Sequence, residues 1–321
     1  AVGFASLTSS TTAANNTALG YAALNAATTG ASNVAVGSSA GVAVTTGAAN
    51  TLIGGSAGDA LTEANYNVAI GKNALSADTL GSKTIAIGYG ALDTQNFTSA
   101  TDTYNVAVGH NTGTAVTTGT LNTLIGGLAG DALTTGNSNT ALGYQALSAD
   151  TTGDRSTALG FQALAVQNFT TNTDTYNTAV GYNSGLSVTT GVQNTLIGGL
   201  AGDALTTGNY NVALGYAALG AEDTRGRATA IGYAALQSQN ADADSYNVAV
   251  GFEAGGAVTT GTENVFIGGL SGDATTTGNV NTALGASSLT ANTTGVANTA
   301  VGRQALKATT TANFNVAVGA E

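Results

Sequence analysis

The sequence predicts an all-β chain, a repetitive parallel β-solenoid or β-roll with 17-residue coils, and three observations lead there. The pentapeptide Asn-x-Ala-x-Gly recurs in eighteen copies, from Asn16 to Gly20 at one end and Asn315 to Gly319 at the other. Its closing glycines stand 17 residues apart, except for steps of 21, 21 and 19 that end at Gly109, Gly181 and Gly251. A unit of that length is too short for a helix pair and matches one coil of a solenoid. Proline is absent altogether, as expected where every coil offers its N–H groups to the next.

Within the motif, side chains of a strand alternate between faces, so positions two and four share one face and position three lies on the other. Position four is Val, Ile or Leu in every copy, beginning Leu19, Val36, Ile53, Ile70, Ile87, Val108, Ile125 and Leu142, and is expected to form the core. Position three is Ala in most copies and Leu52, Leu124, Leu196 or Phe266 in the rest, so the second face is apolar too. A strand apolar on both faces is buried on both. One face fills its own coil; the other needs a second layer, either the opposite wall or a neighbouring chain. The recurring Thr-Thr-Gly, as at Thr28 to Gly30, Thr45 to Gly47 and Thr117 to Gly119, is expected to place glycine at a positive φ.

A longer period lies over the short one. Asn50-Thr51-Leu52-Ile53-Gly54 returns at Asn122, Asn194 and Asn264, a super-repeat of four coils or about 72 residues. No linker interrupts it, so residues 1–321 read as a single repeat domain of about eighteen coils, a rod of about 85 Å, and as a segment of a longer fibre.

Composition excludes several functions. Seven Lys and Arg against eighteen Asp and Glu, without a basic cluster, leave nothing to neutralise a nucleic-acid backbone. No long apolar run supplies a transmembrane helix. Cysteine is absent and the single histidine, His110, has no partner signature, so no catalytic, metal or cofactor site is expected.

Units such as NTALGYAALNAATTGAS and NTALGYQALSADTTGDRS resemble the repeats of bacteriophage tail fibres and related viral attachment fibres. The core NVAIG from Asn67 to Gly71 is similar to the head repeats of trimeric autotransporter adhesins of the YadA type. That resemblance implies a left-handed parallel β-roll, three chains packed into one intertwined or side-by-side homotrimer, and binding to host surfaces or matrix. It carries over no catalytic residue. The 17-residue spacing and the four-coil super-repeat depart from the adhesin pattern.

Candidate contact residues lie in the lengthened coils, from Gln95 to Tyr104, Gln167 to Tyr176 and Gln239 to Tyr246. Extra residues are expected to leave the solenoid outline, which singles out Gln95, Asn96, Phe97 and Asp102, Gln167, Asn168, Phe169 and Asp174, and Gln239, Asn240, Asp242 and Asp244. Two carboxylates in Asp242-Ala243-Asp244 fall short of the roughly six to eight oxygens that Ca²⁺ takes. The motif asparagine is replaced by Thr84, Ser156 and Ala228, each in a coil that precedes an insert. All eleven tyrosines stand either just after a motif glycine or just before a motif asparagine, where they pack at coil corners or stack on sugar rings. The expected function is an extracellular attachment fibre on a virion or bacterial surface, a partner to itself and to a host glycan or protein. The alternatives are a self-assembling surface filament with no receptor and an ice-binding solenoid.

Overall fold

A computed structural model describes residues 1–241 and 243–320. Its contacts group the chain into two compact units, Ala1–Ser156 with Asn168–Asp174, and Thr157–Gln167 with Thr175–Glu321. Each is a parallel β-solenoid, and no helix occurs among the described residues. Motif positions two to four form a three-residue strand in every copy, eight in the first unit and ten in the second.

In the first unit Thr17 to Leu19 pairs in register with Val34 to Val36, one 17-residue coil on. The 21-residue step from Ile85 to Val106 keeps the same register, so the insert is absorbed outside the ladder. The second unit behaves alike across the 19-residue step from Thr229 to Val248. Coil-to-coil bonding continues beyond the strands, as from Leu24 N to Ala40 O at 3.1 Å and Thr28 N to Thr45 O at 3.0 Å.

Glycine is needed for two different reasons. At motif Gly37 φ is +139°, and a Cβ would stand 2.4 Å from the Gly54 carbonyl oxygen. The Thr-Thr-Gly glycines, contrary to the sequence expectation, do not adopt positive φ. Gly30 and Gly47 are required because a Cβ would lie 2.2 and 2.4 Å from the carbonyl oxygens of Gly47 and Ala64 in the following coils. Left-handed backbone falls instead on side-chain-bearing residues such as Ala22, Leu24 and Tyr66.

The faces of the strand are the reverse of those expected. Position three fills the interior: Ala35, Leu52, Ala69 and Leu124 are buried. Position four points outward. Leu19 is 47% exposed, Leu142 45% and Ile53 36%, while Val36, Ile70, Ile87, Val108 and Ile125 are half-buried. The coil is too narrow for a second row of branched side chains, because its interior is already occupied by the residues three, four and seven places after each motif glycine, such as Ala23, Leu24 and Ala27.

This interior explains the super-repeat. Leu52 sits between Gly41 and Gly58, where a Cβ would approach its Cδ1 at 2.6 Å and its Cδ2 at 2.7 Å. Two glycines therefore make room for one leucine, and Phe266 occupies the same space between Gly255 and Gly272. The neighbouring coils invert the arrangement, with Ala69 and Ala86 in the strand and Leu75 and Leu92 in the glycine place. Seven places after the motif glycine the buried column of the first unit reads Val44, Leu61, Asp78, Gln95 and then Val116, Leu133, Asp150, and in the second unit the same places hold Val188, Leu205, Glu222 and Gln239. Two coils with an apolar residue in this column thus alternate with two that carry a polar one among apolar neighbours, and the second of each polar pair is the lengthened coil.

Buried motif asparagines complete the frame. Asn50 N donates to Asn33 Oδ1 at 2.9 Å, and Asn50 Nδ2 donates to the Ala64 carbonyl at 2.9 Å. Each amide thus satisfies one backbone donor and one backbone acceptor in adjacent coils.

Candidate interaction surface

The inserts are pinned from inside. Asp78 Oδ2 accepts from Gln95 Nε2 at 2.6 Å, and Asp78 Oδ1 accepts from the N–H groups of Gly81 at 3.0 Å and Phe97 at 3.1 Å. Gln95 Oε1 in turn accepts from Asn105 Nδ2 at 2.8 Å. Thr84, standing where the asparagine ladder is broken, contacts Thr103 Oγ1 at 2.7 Å, and Asn105 N donates to that same insert hydroxyl at 3.3 Å. The second unit repeats this with Gln239 Nε2 on Glu222 Oε2 at 2.7 Å and Asn247 Nδ2 on Gln239 Oε1 at 2.8 Å.

This network corrects part of the contact surface. Gln95, Gln167 and Gln239 are fully buried, and Phe97 and Phe169 fold back over the coil, because their side chains or N–H groups belong to the interior. Asn96, Asp102, Asn168, Asp174 and Asn240 stay exposed and Asp244 is half-buried. Asp242 lies outside the described residues.

The exposed carboxylates are held by cations that the sequence pattern did not single out. Lys83 Nζ pairs with Asp102 at 2.6 Å and bonds Tyr104 Oη at 3.0 Å, which raises its pKa. Arg155 pairs with Asp174 and Arg227 with Asp244. Arg227 also lies between Tyr210 and Tyr246, 5.4 and 5.6 Å from the ring centres. The signal was present in the sequence: three of its seven cations recur 72 residues apart. What remains open for contact is the polar rim, Asn96 and residues 98–100 in the first insert and Asn168 with residues 170–172 in the next.

A second exposed feature is a ladder of aromatic rings just after the motif glycines. Phe4 and Tyr21, Tyr89 and His110, and Phe161 and Tyr182 stack at 5.7, 5.1 and 5.4 Å. A third is the outward strand face, where position two is always Thr, Val or Ile and position four Leu, Val or Ile, with no charged residue among them.

Burial raises the pKa of Asp78 and Glu222, outweighing the hydrogen bonds from Gln95 and Gln239, and desolvation likewise raises Asp59, Asp131 and Asp203. A folded state that holds these protons more tightly loses stability as pH rises from the ordinary aspartate value of 3.8 through the raised values. Relief of the net charge of -11 acts in the same direction. The urea midpoint is therefore expected to increase as pH is lowered from neutrality toward about 5. A midpoint that falls over this interval would contradict the assignment.

Among the described residues no cluster of His, Asp and Glu is disposed to hold a metal ion, and no helix is long and apolar enough to cross a membrane. No protein-family model, curated protein or solved structure matches this chain.

Proposed function

We propose that this chain is the repetitive shaft or head of an extracellular attachment fibre, assembled as a homotrimer through its outward strand face and presenting the insert rims to a host surface. One observation carries the reading: every coil leaves a Thr/Val/Ile and a Leu/Val/Ile partly or fully exposed on the outward strand face. With strands about 4.8 Å apart and three residues wide, each unit offers roughly 400–500 Å² of flat, uncharged sheet built of Val, Ile, Leu and Thr. Monomeric proteins seldom expose contiguous patches larger than a few hundred Å² unless something covers them. A second copy of the same chain fits this face, because its repeat matches that of the ladder coil for coil and no charge opposes the contact. The likeness of the repeats to viral attachment fibres supports the same choice.

Light scattering on the purified chain tests it. The expected mass is three times 31.0 kDa. A stable species of 31.0 kDa would remove the trimer, and an open-ended series would favour a structural filament.

A further inference from the structure

The aromatic ladder of the second unit is interrupted where a glycine follows the motif glycine, as it does once in every super-repeat. Phe161 stacks on Tyr182 at 5.4 Å, and Tyr216, Tyr233 and Phe252 stack in turn at 5.6 and 5.2 Å. Between the two stacks stands Gly199, without a ring. A Cβ placed there would lie 3.5 Å from Tyr216 Cδ2, in ordinary contact, and Gly199 has no positive φ, so neither space nor backbone demands glycine. Its N–H donates no hydrogen bond to a described residue. Tyr182 and Tyr216, both about half exposed, therefore flank a notch at Gly199, standing two coils or about 9.6 Å apart, with the edge of the Tyr216 ring leaning over the glycine.

A shallow, open hollow of about 560 Å³ lies at the residues that follow in the chain. Leu200 and Ala217, next in the chain after Gly199 and Tyr216, line it together with Asp203, Gly220, Gln237 and Ser238. The hollow marks a missing hydroxyl. In corresponding places elsewhere Ser76 donates to Asp93 and Thr290 donates to Asp273. Gly220 occupies the equivalent position beside Asp203, and a Cβ there would stand 3.6 Å from Asp203 Oδ1. No other side chain among the described residues donates a hydrogen bond to that carboxylate.

We propose that the Gly199 notch and the Gly220 hollow form a binding site for a pyranose ring, seated between Tyr182 and Tyr216 with one hydroxyl donated to Asp203. The exposed rings of Tyr182 and Tyr216 suit the C–H faces of a pyranose. The carboxylate selects a hydroxyl donor in the place where related coils supply Ser or Thr. The notch at His110, Gly127 and Tyr144 is the counterpart in the first unit, but Ser148 stands there in place of Gly220, so the complete site belongs to the second unit. The inference deepens the attachment reading and rests on it for its biological purpose, since a host surface presents glycans.

The test is saturation-transfer NMR on the full chain with methyl β-glucopyranoside, methyl β-galactopyranoside and methyl α-mannopyranoside, alongside N-acetyltyrosinamide as a flat aromatic probe. At least one pyranoside is expected to receive saturation. Both Gly220→Ser, which restores the hydroxyl of the related coils, and Gly199→Tyr, which continues the ladder, are expected to weaken binding at least tenfold with an unchanged circular dichroism spectrum. Silence from all three pyranosides, an undiminished response in both variants, or binding of the aromatic probe alone would overturn the proposal. Because the readout is a soluble sugar on one chain, it stands apart from the mass measurement: a monomer that binds pyranoside sinks the trimer and keeps the site.

Discussion

Placing lysine on the outward strand face, as Ile53→Lys in the first unit together with Ile197→Lys in the second, is expected to convert a species of three times 31.0 kDa into a single chain of 31.0 kDa. The fold of each unit survives the change, since Ile53 is 36% exposed and Ile197 is half-buried, and neither fills the coil interior. A lysine on a solvated strand face costs at most about 1 kcal/mol. In the assembly the same ammonium enters an apolar contact, where desolvating it costs several kcal/mol per ion, and threefold symmetry presents it three times. Light scattering and circular dichroism on the pair of variants separate loss of assembly from loss of fold. A lysine at exposed Asn96 on the insert rim serves as the control and is expected to leave the mass unchanged. A trimer that tolerates both strand lysines would place the interface elsewhere on the chain.

That prediction depends on which face of the strand points outward, and here the sequence was ambiguous. The period, the strand positions and the parallel stacking follow from Asn-x-Ala-x-Gly at 17-residue spacing, because a residue that must pair with its copy in the next coil repeats at the length of the coil. The choice of inner face does not follow, since positions three and four are both apolar. Larger and more uniform residues at position four suggested a core, yet the interior has room for Ala, or for one Leu where two glycines withdraw their side chains. That complementarity between Leu52 and the pair Gly41 and Gly58 joins residues of different positions within neighbouring coils. It becomes readable only once coils are superposed.

The inserts teach a similar lesson. Their length marked them as departures from the coil, and their tips at residues 98–100 and 170–172 are exposed. Their first residues were misjudged, because Gln95 and Gln167 look like polar loop residues when read along the chain. Read down the stack of the first unit, Gln95 belongs to the same column as Val44 and Leu61, which is interior. A polar residue in an apolar column signals a buried partner, and Asp78 one coil earlier is that partner.

The same column supplies the prediction with the largest expected effect on stability. Gln95→Ala deprives the Asp78 carboxylate of its 2.6 Å donor and Asn105 Nδ2 of its 2.8 Å acceptor in a region closed to water. Leaving a buried carboxylate and a buried amide each short of a hydrogen bond typically costs about 1–3 kcal/mol per group, and the loss falls on the coils from Asp78 to Asn105 because solenoid coils lean chiefly on their neighbours. Urea unfolding is expected to shift accordingly. Hydrogen exchange should quicken first at the N–H groups of Gly81 and Phe97, which Asp78 anchors. Replacing both partners, as Asp78→Leu with Gln95→Leu, extends the apolar column of Val44 and Leu61 and is expected to recover part of the lost stability. It does not restore the acceptor for Phe97, so exchange in the insert stays fast while the strands Ile85–Ile87 and Val106–Val108 regain protection. That separation would identify the purpose of the buried pair: an apolar interior alone holds the solenoid, whereas the carboxylate and amide fix the insert against it. A double variant in which insert and strands recover together would show instead that the pair merely fills space.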